Sequence, residues 1–93
     1  MVKRSDKNQP EIVAALRAVG AVVQDTHELG KGFPDLVVAC HGSGSTFVAE
    51  IKMPGEGLNE REFEWRSRWP GTYYIWHTID EALSDFEFEN LFT

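Results

Sequence analysis

Gly32-Phe33-Pro34-Asp35-Leu36-Val37-Val38 and, further along, Val48-Ala49-Glu50-Ile51-Lys52-Met53-Pro54 are the two stretches that decide how this chain folds. Each carries a run of β-branched and small apolar residues, and Gly42-Ser43-Gly44-Ser45 lies between the runs. Residues 36–41 and 46–53 therefore read as two strands of one hairpin, closed by a glycine-rich turn and ended by Pro54-Gly55-Glu56-Gly57. Side chains alternate faces along a strand, so Glu50 and Lys52 share a face. A two-residue Gly42-Ser43 turn sets Asp35 opposite Glu50, and a four-residue loop from Gly42 to Ser45 sets it opposite Lys52. Either even loop gathers two carboxylates and an ammonium at one strand end, whereas an odd loop sends Asp35 to the other face.

That mixture suits phosphodiester chemistry. Carboxylate oxygens are the hard ligands that Mg²⁺ and Mn²⁺ prefer. A lysine beside them orients or deprotonates a water, or stabilises developing negative charge. Directly opposed residues stand about 4.5–5.5 Å apart and diagonal ones about 7–8 Å, which a bridging metal spans. The competing structural reading is an Asp35–Lys52 ion pair at a sheet edge. The reverse face, with Leu36, Val38, Cys40, Phe47, Ala49 and Ile51, reads as core. Val37, Ala39 and Val48 make the site face partly apolar as well, as in a central hairpin covered by helices. Charges at such a strand end are costly unless paired or metal-bound.

Outward from the hairpin, residues 9–19 predict a helix, with Asn8 as N-cap, Pro10 in the first turn and Gly20 as its stop. Residues 21–25 predict a strand and residues 26–34 a loop. Asn59 caps a second helix running to about Trp69, residues 72–77 form a fourth strand, and Thr78 with Glu81 makes a capping box for a last helix to about Phe88. The order is αβββαβα: an α/β domain with a small mixed sheet flanked by helices.

The chain has 93 residues, enough for one domain (residues 1–93) with a limited core, so oligomerisation is a common supplement. No apolar run approaches the ~20 residues of a membrane span, and the basic N-terminus has no apolar stretch behind it. The single cysteine, Cys40, cannot form an internal disulfide, which points to a reducing, cytoplasmic setting. A net charge of −6 argues against holding nucleic acid by bulk electrostatics, but not against a nuclease whose carboxylates bind cations. Lys3, Arg4 and Lys7 form one basic cluster, and Arg61, Arg66 and Arg68 another; each is either solvated surface or phosphate contact.

At Pro34-Asp35 and Glu50-Ile51-Lys52 the chain resembles the PD-(D/E)XK nuclease superfamily. With the flanking residues quoted above, and Leu58 opening a helix, it looks like the VRR-NUC branch, from Glu11 to about Leu83. The resemblance implies a restriction-endonuclease-like αβββαβ core. It implies Mg²⁺ or Mn²⁺ held by Asp35 and Glu50, with the Ile51 carbonyl and Glu11 as further ligands. Lys52 would position or activate the attacking water. The family has a glutamine where this chain has Glu62, a departure that replaces a group able to donate and accept by an acceptor. A carboxylate facing inward with Trp65 and Trp69 needs a partner, and Lys52 or a metal-bound water is the candidate.

The resulting expectation is a metal-dependent endodeoxyribonuclease acting on branched DNA such as four-way junctions. Flap or duplex DNA is the runner-up, with a non-catalytic DNA-binding module and a metal-binding regulator as alternatives of a different kind. His27, His41 and His77 form no metal motif, although His27 precedes Asp35 closely enough to approach substrate. The tryptophans read as packing. Phenylalanines alternate with acids from Asp85 to Phe92. They predict that part of this tail packs on a second subunit, and the resemblance likewise implies a homodimer.

Overall fold

The computed structural model describes residues 7–91; Lys3, Arg4 and Phe92 lie outside that range. The elements are α1 (Gln9–Ala18), β1 (Val22–Asp25), a 3₁₀ turn (His27–Leu29), β2 (Leu36–Ala39), β3 (Thr46–Ile51), α2 (Glu60–Ser67), β4 (Tyr73–Trp76) and α3 (Ile79–Leu91). The sheet runs β1-β2-β3-β4, antiparallel from β1 to β3, with β4 parallel to β3. This is the small mixed α/β sheet that the pattern predicts. β4 needs a crossover because parallel strands cannot be joined by a tight turn, and α2 supplies it.

Alternation along β3 and β4 assigns the faces. Phe47, Ala49 and Ile51 point with Tyr74 and Trp76 into the core, where Ile12 and Leu16 of α1 and Ala82 and Phe86 of α3 are buried. Phe47 meets Tyr74 edge-on at 5.2 Å between centroids and Trp76 at 6.0 Å. The acids of α3 reach back to the same strand: Trp76 Nε1 donates to Asp85 at 2.9 Å, and the Tyr74 hydroxyl donates to Glu89 at 2.6 Å. That part of the acidic-aromatic tail thus packs on its own sheet. Phe88 and Leu91 stay exposed, three residues apart on one side of the helix.

Two local expectations need correction. Asn8 holds the N-cap position but makes no side-chain cap. Its amide instead donates to the carbonyls of Lys52 and His77, at 3.1 and 2.9 Å, and ties the start of α1 to the ends of β3 and β4. In the turn that ends the hairpin, the Glu56 carboxylate accepts the Met53 N–H at 2.9 Å. Trp69 lies beyond α2, stacked on Trp65 at 5.0 Å and donating to the Thr72 carbonyl. The capping box at α3 forms as expected, with Glu81 N–H to Thr78 Oγ1 and Thr78 N–H to Glu81.

Candidate metal centre

The hairpin register decides whether a site exists. Leu36 pairs with Ala49 and Ala39 with Thr46, so continuing the register one step sets Asp35 opposite Glu50. The loop spans four residues, His41–Gly44, inside a Cys40–Ser45 pair whose N–H···O distance is 2.9 Å. The register is that of the two-residue alternative, although the loop itself is longer.

One step further, Pro34 faces Ile51. Lys52 and Val48 direct their N–H groups to β4, so Ile51 turns its own backbone groups toward β2. Pro34 has no N–H to return, which deprives the Ile51 carbonyl of its usual donor. The Ile51 N–H goes to the Asp35 carboxylate at 2.9 Å. The Pro34 carbonyl is taken by Thr26 Oγ1 at 2.7 Å, while the Thr26 N–H binds the Asp35 carbonyl at 2.7 Å. Proline withholds a ladder N–H from the Ile51 carbonyl, and the aspartate carboxylate is aimed by the Ile51 N–H.

Asp35 and Glu50 are both buried, at 6% and 3% exposure. Glu50 Oε1 has no hydrogen-bond partner. Burial, then the neighbouring carboxylates of Asp35 and Glu62, push the Glu50 carboxyl up to about 10. In the metal-free protein Glu50 is therefore a neutral acid at pH 7, held in a place with more carboxylate than it can ionise. A divalent cation would remove that conflict.

Lys52 Nζ lies 2.7 Å from Glu62 and 3.8 Å from Glu50. The Asp35–Lys52 ion pair is not formed; Asp35 spends one oxygen on Ile51. Glu62 is fixed from below by a capping box, in which its Oε1 accepts the Asn59 N–H and its own N–H donates to Asn59 Oδ1, both at 2.9 Å. A glutamine would serve that cap equally well. The carboxylate adds a charged partner for Lys52. Burial opposes ionisation of Glu62, but Lys52 and the Asn59 N–H outweigh it and keep its pKa below the ordinary value.

Tyr73 was not singled out in the sequence. Its hydroxyl is buried without a partner, and burial followed by the charges of Glu50 and Glu62 raises its pKa, so it remains a proton donor. The ring packs against Trp65 and under the Arg66 guanidinium, 5.5 Å from its centroid. Only the parallel β3–β4 pairing, Val48 with Tyr73 and Glu50 with Ile75, brings it to this face.

Glu11 is exposed and lines a separate hollow with Met53, His77 and Asp80. The structure does not bring it to Asp35 and Glu50. The inward polar residue of α1 is Gln9, 1% exposed, whose amide donates to Asp25 at 3.0 Å. Asp25 in turn holds His27 Nδ1 at 2.6 Å, and that bond, with burial opposing it, raises the His27 pKa. No sequence motif marks Gln9 or Asp25; only the end of β1 lying beside Asp35 does.

Among the described residues, no three or more His, Cys, Asp and Glu side chains form a group that could hold a metal ion. The donors that could serve are Asp35, Glu50 and the Ile51 carbonyl, with water completing the shell. Mg²⁺ tolerates this because it often binds through one or two carboxylates and keeps several waters. No helix among the described residues is long and apolar enough to cross a membrane. No protein-family model matches the chain, and searches of curated proteins and of solved structures return no match.

Proposed function

We propose that this protein is a metal-dependent endodeoxyribonuclease of the PD-(D/E)XK type, VRR-NUC branch, built on a restriction-endonuclease-like αβββαβ core. The observation that carries the reading is the buried Glu50 carboxyl, with one oxygen unpartnered, beside Asp35 and one residue pair from Lys52. Mg²⁺ or Mn²⁺, when bound, supplies Lewis-acid activation of the phosphodiester and of water. Asp35 is oriented for it by the Ile51 N–H, and Glu50 and the Ile51 carbonyl complete the protein's share of the ligands. Lys52, steered by Glu62, holds the attacking water and stabilises charge on the phosphate. Glu11 belongs to this machinery only through an intervening water or a shift of α1, since it stands exposed outside the carboxylate pair.

The substrate class we favour is branched DNA, four-way junctions in particular, with flap and duplex DNA next. A homodimer would present two such centres to a two-fold substrate, with exposed Phe88 and Leu91 at the end of α3 as its contact. A second reading, a non-catalytic DNA-binding module, is favoured by the close Lys52–Glu62 pair, which engages the ammonium. The test is incubation of labelled junction, flap and linear duplex with Mg²⁺, Mn²⁺ or EDTA, beside Asp35→Asn and Lys52→Ala. Metal-dependent cutting lost in both variants is expected. Binding without cutting on every substrate would replace the nuclease by the module.

A further inference from the structure

Three of the chain's nine lysines and arginines meet at one place away from the carboxylates, although they come from two separate segments. Lys31 in the Gly30–Gly32 loop and Arg61 and Arg68 on α2 line a single open hollow of about 330 Å³, with Glu64 as the acid among them. Arg66 lies further round the same helix, over Tyr73. All four cations are exposed. Glu64 pairs with Arg68 at 3.6 Å and offsets one charge, so the hollow keeps a net positive lining in a protein of net charge −6.

The way the loop is built argues that the cation at 31 is wanted. Lys31 has φ +56°, and no other non-glycine described residue has positive φ. Glycine adopts that conformation without strain and lysine does not. Gly30 and Gly32 flank it, so the chain places glycine on both sides and a lysine at the strained position. Gly32 supplies the approach: a Cβ there would lie 2.5 Å from the Arg61 carbonyl, so only glycine lets the loop press onto α2 and set Lys31 beside Arg61. Strain retained at an exposed cationic side chain is the kind of outlier that marks a binding surface. The inner side of α2 carries Glu62 against Lys52, and a helix with its side chains is about 10–12 Å across. The hollow therefore lies across the width of α2 from the Lys52–Glu62 pair.

We infer that the Lys31–Arg61–Arg68 face grips the phosphodiester backbone of DNA and that Arg66 carries the strand on toward Tyr73 and the carboxylates. This takes its partner from the nuclease reading. The face is sequence-blind, since guanidinium and ammonium groups meeting phosphates position a duplex without reading bases.

The test is fluorescence anisotropy with labelled duplex and junction DNA in EDTA, across a salt titration, comparing wild type with the triple variant Lys31→Gly, Arg61→Gln, Arg68→Gln. Thermal melting checks the fold, and Lys31→Gly removes strain rather than adding it. Each lost duplex phosphate contact lowers the log–log salt slope by about 0.9, so a decrease of roughly 2–3 is expected, with affinity weaker by about 10-fold or more at low salt. An unchanged slope and affinity in a folded variant would overturn the proposal, as would absence of DNA binding by wild type. Binding that depends on this face without cleavage in Mg²⁺ or Mn²⁺ would uphold the surface and remove the nuclease. Cleavage by wild type with unchanged binding by the variant would do the reverse.

Discussion

The Asp35 carboxylate accepts the Ile51 backbone N–H at 2.9 Å, across a ladder position where Pro34 has no N–H to offer. The arrangement gives the Pro-Asp dipeptide a physical meaning. Proline ends the β2–β3 ladder one step early, and the aspartate side chain takes up the donor left behind. The Ile51 carbonyl is left facing the same space as Asp35 and Glu50. All three donors are set by backbone geometry on adjacent central strands, the most rigid framework this small sheet provides.

Glu50→Gln should stabilise the metal-free protein while abolishing metal binding. At pH 8 folding must protonate Glu50, a step glutamine does not need, and a gain of about 1–3 kcal/mol is expected. For a chain of this length that is a rise in Tm of roughly 5–15 °C. Calorimetry in EDTA beside a metal titration reads both halves, and a destabilised variant would show that Glu50 is structural.

The same group fixes the sign of the pH dependence without metal. The folded pKa lies above the ordinary value of 4.5, so the folded state holds the extra proton. Stability is then fully present below about 4.5 and is lost as pH rises through the window toward about 10. Saturating Mn²⁺ should reverse the trend, because the cation prefers the ionised carboxylate. Denaturant melts at pH 6, 8 and 9.5 with EDTA or Mn²⁺ check this, with a shallower decline expected for Glu50→Gln, where the raised His27 pKa still contributes.

Metal should raise Tm in wild type and not in Asp35→Asn. At a hundred times its Kd, a ligand that binds only the folded state adds about 2.7 kcal/mol. Thermal shift with Mg²⁺, Mn²⁺ and Ca²⁺ measures it, and an equal shift in the variant would place the cation elsewhere.

Glu62→Gln and Glu62→Ala should separate. Glutamine keeps the acceptor for the Asn59 N–H and a partner for Lys52, so the fold and most of the cleavage persist. Alanine loses the reciprocal cap and leaves Lys52 without its nearest carboxylate, for about 1–2 kcal/mol of stability and a larger loss of rate. Equal behaviour of the two in melting and single-turnover assays would reduce Glu62 to surface.

Tyr73→Phe should leave stability unchanged or slightly higher, since it deletes a buried hydroxyl that has no partner. Cleavage should fall, because that hydroxyl is an unpartnered buried donor on the face of Glu50. A loss of stability without loss of rate would contradict this.

Much of the architecture was legible because its signals are local. Helix stops at Gly20, the Thr78–Glu81 capping box, β-branched runs and the glycine-rich turn act within a few residues, and the structure keeps each element within a few residues of its expected bounds. Glu50 and Lys52 were legible for the same reason, by period-two alternation; Asp35 joins them because the loop is even, which the hairpin register decides. The Asn8 cap was misread because the side chain found better acceptors far along the chain, at Lys52 and His77. Glu11 was expected near the carboxylates by resemblance, and the helix turns Gln9 inward instead.

By itself, the sequence determined the order of elements, the hairpin and the face shared by Glu50 and Lys52, because those follow from periodicity and turn chemistry; Asp35 joins that face only with an even loop. Only the tertiary structure decided which register of the hairpin forms and that Tyr73 faces Glu50 through the parallel β3–β4 pairing. It placed Lys52, one of the two candidates, against Glu62, and it alone joined Gln9 to Asp25 and Lys31 to Arg61. Those contacts join residues from different elements, and no local propensity records which surfaces will be pressed together when one small core is buried.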